Sequence, residues 1–223
     1  MDGGTIATAA SIIHYALSAK GIEYGIVGGS AVSLLCAHYG LGQRSTNDID
    51  LIIIPDRERN IDASTISKAL YEEYPNYFTK IDQYGVQIPA VLIGGELGHA
   101  EVEIFDIDAW PHRRQYDLRD PDNDRVTLKV NQYSISVLSP RWIVREKILS
   151  QHQRQGAQKE KSDILDIKML LPLLDDGTLK FDTTERIDAL NTLLEKEPDL
   201  RGQLQEKIVC PAVFDAKVAN PEI

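Results

Sequence analysis

Two short stretches hold the residues of this chain best suited to chemistry: Gly28-Gly29-Ser30, and Arg44-Ser45-Thr46-Asn47-Asp48-Ile49-Asp50. Side chains alternate along a strand, so Asp48 and Asp50 point to the same face, about 6.6 Å apart along it. Two carboxylates so placed can bracket hard divalent cations. Magnesium suits them, with manganese as the alternative ion, because it takes few protein carboxylates and completes its shell with water and phosphate oxygens. Gly28 and Gly29 let the backbone come close to a ligand, and a helix beginning directly after them offers free N–H groups to a phosphate. Ser30 can add a hydroxyl. Taken singly, Asp-Ile-Asp is what an ordinary solvated strand end looks like, and Gly-Gly is an ordinary turn. The informative feature is their order: strand, Gly-Gly-Ser, helix, Arg-x-Thr-x-Asp-Ile-Asp, strand.

A third carboxylate would complete such a site by binding a metal or taking a proton from an attacking hydroxyl. The run Glu101-Val102-Glu103-Ile104-Phe105-Asp106-Ile107-Asp108 offers four acids. Glu101 and Glu103 share one face of a strand, Asp106 and Asp108 the other. Glu103, flanked by Val102 and Ile104, is the first choice and Asp106 the second. Other features read more simply. Cys36 and Cys210 lie far apart with no CxxC pairing and are expected as buried or free thiols. The histidines lack zinc-site spacing. Trp110-Pro111-His112-Arg113-Arg114 reads as a surface loop, or as a clasp for a base or acceptor.

The elements that must position these residues follow from periodicity. A helix is expected over Thr5 to Lys20, ended by Gly21, then a strand over Ile22 to Val27 and a helix from Ala31 to about Tyr39. Asp48 to Ile54 reads as a buried strand stopped by Pro55, and Ser64 to about Tyr74 as a helix. Val86 to Ile93 and Ala100 to Ile107 read as strands around the turn-prone Gly94-Gly95-Glu96-Leu97-Gly98. Trp110 to Asp124 is polar and expected to loop out before a strand at Tyr133 to Val137. Helices are expected over Arg141 to His152, Glu160 to Leu174, Thr184 to Lys196 and Asp199 to Ile208. The chain therefore divides into an α/β (α+β) part, residues 1–139, and an all-helical part, residues 140–223, with a site expected between the two.

Composition narrows the classes. The chain has 223 residues, a formal charge of -10, 43% hydrophobic residues and 2 Cys. It is long enough to fold on an ordinary core without disulfides or a structural metal. No apolar run approaches the ~20 residues that span a bilayer, so no membrane partner is expected. The N-terminus lacks the basic start of a signal peptide, which points to a cytoplasmic protein. The acidic balance excludes broad non-specific nucleic-acid binding. Arg141 to Lys161, however, carries six basic and two acidic residues, so an RNA would have to be held locally.

Gly-Gly-Ser-Ala with Arg-x-Thr-x-Asp-Ile-Asp-Leu resembles the signature of the DNA polymerase β-type nucleotidyltransferase superfamily. With a whole helix between glycines and carboxylates, it most resembles the AbiEii-type toxin and minimal nucleotidyltransferase branch. Lys147, Arg154, Lys161, Asp163 and Asp166 are similar to the family's downstream pattern, so the resemblance extends from about Tyr24 to Leu171. It implies a nucleotidyltransferase fold, a small mixed β-sheet flanked by helices and followed by a helical domain. It further implies that Gly28, Gly29, Ser30, Arg44, Thr46, Lys147, Asp163 and Asp166 serve the nucleotide, with Lys147 on the phosphates. Asp48, Asp50 and Glu103 would hold the magnesium. Arg44 either contacts the triphosphate or pairs with Asp48 to orient it. The implied activity is transfer of a nucleoside monophosphate from an NTP, ATP among them, to an acceptor hydroxyl with release of pyrophosphate. The acceptor is left open among the end of a tRNA, a protein side chain and a small molecule such as an aminoglycoside. The alternative is a catalytically inactive protein of the same fold that binds a nucleotide or a partner.

Overall fold

The computed structural model describes residues 1, 3–83, 85–94 and 98–215. It divides into two units, Met1–Ser139 and Pro140–Ile223. The first opens with helix α1 (Gly3–Ala19), whose Ile6, Ala9, Ala10, Ile13 and Leu17 fall on one buried stripe. There follow β1 (Tyr24–Val27), α2 (Gly28–Tyr39), β2 (Asp48–Ile53), α3 (Ala63–Glu73), β3 (Phe78–Gln83), β4 (Val86–Gly94), β5 (Gly98–Phe105), β6 (Arg125–Val130) and β7 (Tyr133–Leu138). The strands form one seven-stranded sheet in the order β3-β4-β5-β2-β1-β7-β6. It is mixed: β2 runs antiparallel to β1 and parallel to β5, and β1 runs parallel to β7. Ile26, Ile49, Leu51, Val102 and Val137 are buried at the centre of this sheet. Asp62 caps α3 by accepting the Thr65 N–H at 2.7 Å, and Gly40 ends α2 in the left-handed region at φ 69.

The sheet is larger than the sequence suggests. The strands β3 and β6 are absent from the five expected, and both lie at its edges. Edge strands meet water, so Lys80, Asp82, Arg125 and Lys129 interrupt their apolar residues and mask the alternation. The helix after β1 starts at Gly28 rather than Ala31, so the glycines are its first turn. The stretch from Trp110 to Asp124 is a loop carrying one short 3-10 turn, Arg114–Tyr116. Asn123 ties this loop together, its side-chain amide donating to the Arg114 and Asp117 carbonyls at 2.8 Å each. The expected turn between β4 and β5 falls largely on residues 95–97, outside the described residues.

The second unit contains α4 (Pro140–Gln153), α5 (Gln158–Leu170), β8 (Leu179–Lys180), α6 (Thr184–Lys196), α7 (Arg201–Lys207), β9 (Ile208–Val209) and α8 (Pro211–Phe214). It is not all-helical, because β8 and β9 pair in parallel. Two residues each are too short for a period-2 pattern to register. The helix expected over Glu160 to Leu174 ends at Leu170 and tightens into a 3-10 turn at Leu171–Leu173, where Pro172 cannot donate to a continuing helix. Similarly, Pro198–Leu200 is a 3-10 turn ahead of α7. Among the described residues no helix is long and apolar enough to cross a membrane.

Asp106, just beyond β5, fastens the end of that strand to α3. It is 1% exposed, and its two oxygens accept the N–H groups of Ala63 and Ala109, each at 2.6 Å. Asp106→Ala leaves both amides without this acceptor and should lower stability by about 2–4 kcal/mol in urea unfolding. Unchanged stability would contradict this structural role.

Candidate active site

The site is built on three adjacent strands. In the β1/β2 register Val27 stands opposite Asp50, and in the β2/β5 register Asp48 pairs with Glu101 and Asp50 with Glu103. Neighbouring strands lie about 4.8 Å apart, and paired residues present their side chains to the same face. Asp50 and Glu103 therefore stand side by side. The pattern of β2 enforces this: Ile49 and Leu51 are fully buried, while Asp48 and Asp50 on the opposite face are half-buried.

Of the four acids at the end of β5, the structure gives three a partner. Glu101 accepts from the Gln83 amide at 3.3 Å, Asp106 takes the two backbone N–H groups, and Asp108 pairs with Arg57 at 2.9 Å. Glu103 has no hydrogen-bond or ion-pair partner among the described residues. Glu103 is half-buried and stands beside Asp50 in the β2/β5 register.

The glycine turn closes on these acids. Gly28 has φ +67, and a Cβ placed on it would lie 2.1 Å from Oδ2 of Asp50. Only a residue without a side chain permits this approach. A Cβ on Gly29 would stand 2.9 Å from Oγ1 of Thr46 and 3.4 Å from a guanidinium nitrogen of Arg44. The start of α2, Thr46 and Arg44 thus crowd together. Thr46 donates its hydroxyl to Oδ1 of Asp48 at 2.5 Å, so a threonine two residues upstream orients that carboxylate. The Arg44 guanidinium, close to Gly29, bonds to the Ser45 carbonyl. No side chain caps the start of α2, where Val27 is the N-cap residue. Ser30 is buried and turns its hydroxyl inward, donating to the Val27 carbonyl at 2.9 Å.

Among the described residues no group of three or more His, Cys, Asp or Glu side chains is gathered as a ready-made metal cluster. Cys36 and Cys210 are both buried, and burial pushes the Cys210 thiol up, which keeps it protonated.

The remaining expected residues form a separate cluster in the second unit. Asp163 and Asp166, three apart on α5, share one helical face. They hold the Lys147 ammonium at 2.7 and 2.9 Å, and Arg154 reaches the other oxygen of Asp163 at 3.0 Å. The two aspartates are 1% and 0% exposed. Carboxylates this deeply buried persist only when paired, so Lys147 and Arg154 are integral to the helix pair.

The fold is that of nucleotidyltransferase-like proteins, as the match to a solved structure shows. The structure resembles the crystal structure of an antigenic nucleotidyltransferase-like protein from Paracoccidioides brasiliensis, with a TM-score of 0.84 and 40% identity over 94% of this chain and 96% of that one. It also matches the antibiotic-resistance factor ANT(2'')-Ia over 88% of this chain and 95% of that one. There the identity is 13% and the TM-score 0.48. No curated protein matches the sequence significantly. The profile of the family described as nucleotidyl transferase AbiEii toxin, type IV TA system, matches residues 17–218, and the chain belongs to that family.

Substitution separates the two demands on Gly28. Gly28→Ala meets both left-handed strain and the Asp50 carboxylate, whereas Gly40→Ala at φ +69 meets nothing within 4 Å. Left-handed strain costs on the order of 1–3 kcal/mol. Thermal unfolding should show that Gly28→Ala is more destabilising than Gly40→Ala, and equal losses would refute the close approach to Asp50.

Proposed function

We propose that the chain transfers a nucleoside monophosphate from an NTP, ATP among the candidates, to an acceptor hydroxyl and releases pyrophosphate. The observation that carries this reading is the register pairing Asp50 with Glu103, together with the absence of any partner for Glu103 among the described residues.

The donor set fits a divalent cation. Asp48, Asp50 and Glu103 offer hard oxygen ligands on adjacent strands, and magnesium, or manganese in its place, takes a few carboxylates and completes its shell with water and phosphate. Bound there, such ions would draw charge from the attacking and leaving oxygens. Asp48 and Asp50 would hold them, with Thr46 keeping Asp48 aimed. The free N–H groups at the start of α2 would receive the β- and γ-phosphates, where the helix dipole favours negative charge. Gly28 and Gly29 admit that approach. Arg44, close to Gly29, would neutralise phosphate charge, and Ser30 would join once its hydroxyl leaves the Val27 carbonyl. In the second unit Lys147, fixed by Asp163 and Asp166, is the cation we assign to phosphate.

In the reaction the acceptor oxygen bonds to the α-phosphorus and the α–β bridging bond breaks. Pyrophosphate leaves with that electron pair, and the acceptor proton passes to Glu103. Positioning and charge stabilisation account for the rate in such a transfer. The acceptor class stays open among the end of a tRNA, a protein side chain and a small molecule.

The test incubates the protein with each α-labelled NTP, magnesium, and a mixture of tRNA, protein and small-molecule acceptors. Glu103→Gln removes a proton acceptor and should lower label transfer by about 10²- to 10⁴-fold. Asp48→Asn and Asp50→Asn should abolish it. Transfer surviving the double aspartate substitution would overturn the assignment. Nucleotide binding without transfer by the native protein would favour the non-catalytic binding module instead.

A further inference from the structure

The first unit has a second concavity, lined by none of the residues discussed above. It is a cleft of about 280 Å³ beside α1, bounded by Ser11, Tyr15, Tyr77, Asn131 and Tyr133. Tyr15 and Tyr77 are 46% and 44% exposed. Tyr15 meets Tyr74 and Tyr77 edge-on, with centroids 6.3 and 6.0 Å away. In such a contact the edge of one ring meets the face of the other, and a large part of both Tyr15 and Tyr77 stays open to solvent.

The polar groups of the cleft are also in place. Asn131 sits at the β6–β7 turn with φ 52, a conformation Asn tolerates better than most residues. Its amide nitrogen donates to the Ser11 hydroxyl at 2.9 Å, which itself bonds to the Ala7 carbonyl. This anchoring leaves Oδ1 of Asn131 and the hydroxyls of Tyr15, Tyr77 and Tyr133 without hydrogen-bond partners among the described residues. Behind Tyr133, with ring centroids 5.3 Å apart, lies His14, whose Nδ1 meets the Tyr24 hydroxyl at 2.8 Å. Burial lowers the His14 pKa below the usual imidazole value, so this ring is neutral near pH 7.

We propose that this cleft is a binding site for a single uncharged sugar ring, separate from the carboxylate site and independent of nucleotidyl transfer. Three features select that chemistry. Among the described residues no Lys, Arg, Asp or Glu lines the cleft, so neither a phosphate nor a polycationic aminoglycoside finds a counter-charge there. The tyrosines are set edge-on rather than parallel, which offers a ring face for the C–H groups of a pyranose but no sandwich for a base. The unpaired amide oxygen and phenol hydroxyls can exchange hydrogen bonds with sugar hydroxyls, which both donate and accept. The volume, just below the ~300 Å³ at which ligand pockets usually begin, suits one ring.

The test titrates the ¹⁵N-labelled full chain with glucose, galactose and N-acetylglucosamine, with adenosine and tobramycin as controls, and follows amide shifts. At least one sugar should give saturable shifts confined to the amides around Ser11, Tyr77, Asn131 and Tyr133, with Kd on the order of 1 mM for so small a ligand. Tyr77→Ala, at an exposed position, should weaken it about tenfold, and Tyr77→Phe, which keeps the ring, by less. Asn131→Gly keeps the left-handed backbone and should also weaken binding. No saturable shift with any of the three sugars, binding of adenosine in their place, or affinity unchanged in both Tyr77→Ala and Asn131→Gly would overturn the proposal.

Discussion

Everything at the candidate active site depends on the register of one central strand. β2 lies between β1 and β5, and its alternation puts Ile49 and Leu51 into the core while Asp48 and Asp50 face the other way. A slip of one residue would exchange the two sets, burying two carboxylates and exposing two aliphatic side chains. Burying an Ile or Leu side chain contributes about 1.5–3 kcal/mol, and burying an unpaired carboxylate costs more than that. The apolar face thus fixes where the acids point. Because β5 is parallel and in register, the same alternation brings Glu103 beside Asp50.

The glycine turn makes that register usable. The backbone at Gly28 approaches the Asp50 carboxylate more closely than any side chain allows, and there the chain enters α2. A helix start with uncapped N–H groups and a strand acid are therefore brought together by one conformation of one residue. Thr46 adds a local constraint, since its hydroxyl fixes the direction of Asp48. The contrast with the second unit is instructive. Asp163 and Asp166 are buried and matched by Lys147 and Arg154, whereas Glu103 is half-buried and meets no partner among the described residues. The first pattern is that of acids which hold a structure together; the second is the one on which the proposed role of Glu103 rests.

The sequence made the centre of the fold legible and left its margins obscure. The residues Asp48 to Ile53 announce a strand because a continuous apolar run follows two spaced acids, and the Gly-Gly-Ser turn announces the helix that follows. The edge strands hide because water tolerates Lys80, Asp82, Arg125 and Lys129 within them. The role of Asp106 was illegible because it depends on Ala63, 43 positions away in sequence. That Thr46 orients Asp48 turns on side-chain reach in the loop ahead of β2, and no periodicity encodes that. In the second unit β8 and β9 are held by their pairing across the fold rather than by any local propensity.

The central claim is that Asp48, Asp50 and Glu103 act together as ligands on one face of the sheet. Anomalous diffraction from crystals grown with manganese and a non-hydrolysable NTP analogue tests it most directly. It predicts manganese peaks within the ~2.0–2.5 Å range of metal–oxygen bonds from the carboxylates of Asp48, Asp50 and Glu103, with the phosphates at the start of α2. Manganese bound elsewhere, or a bound analogue with Glu103 turned away from the metal, would contradict it.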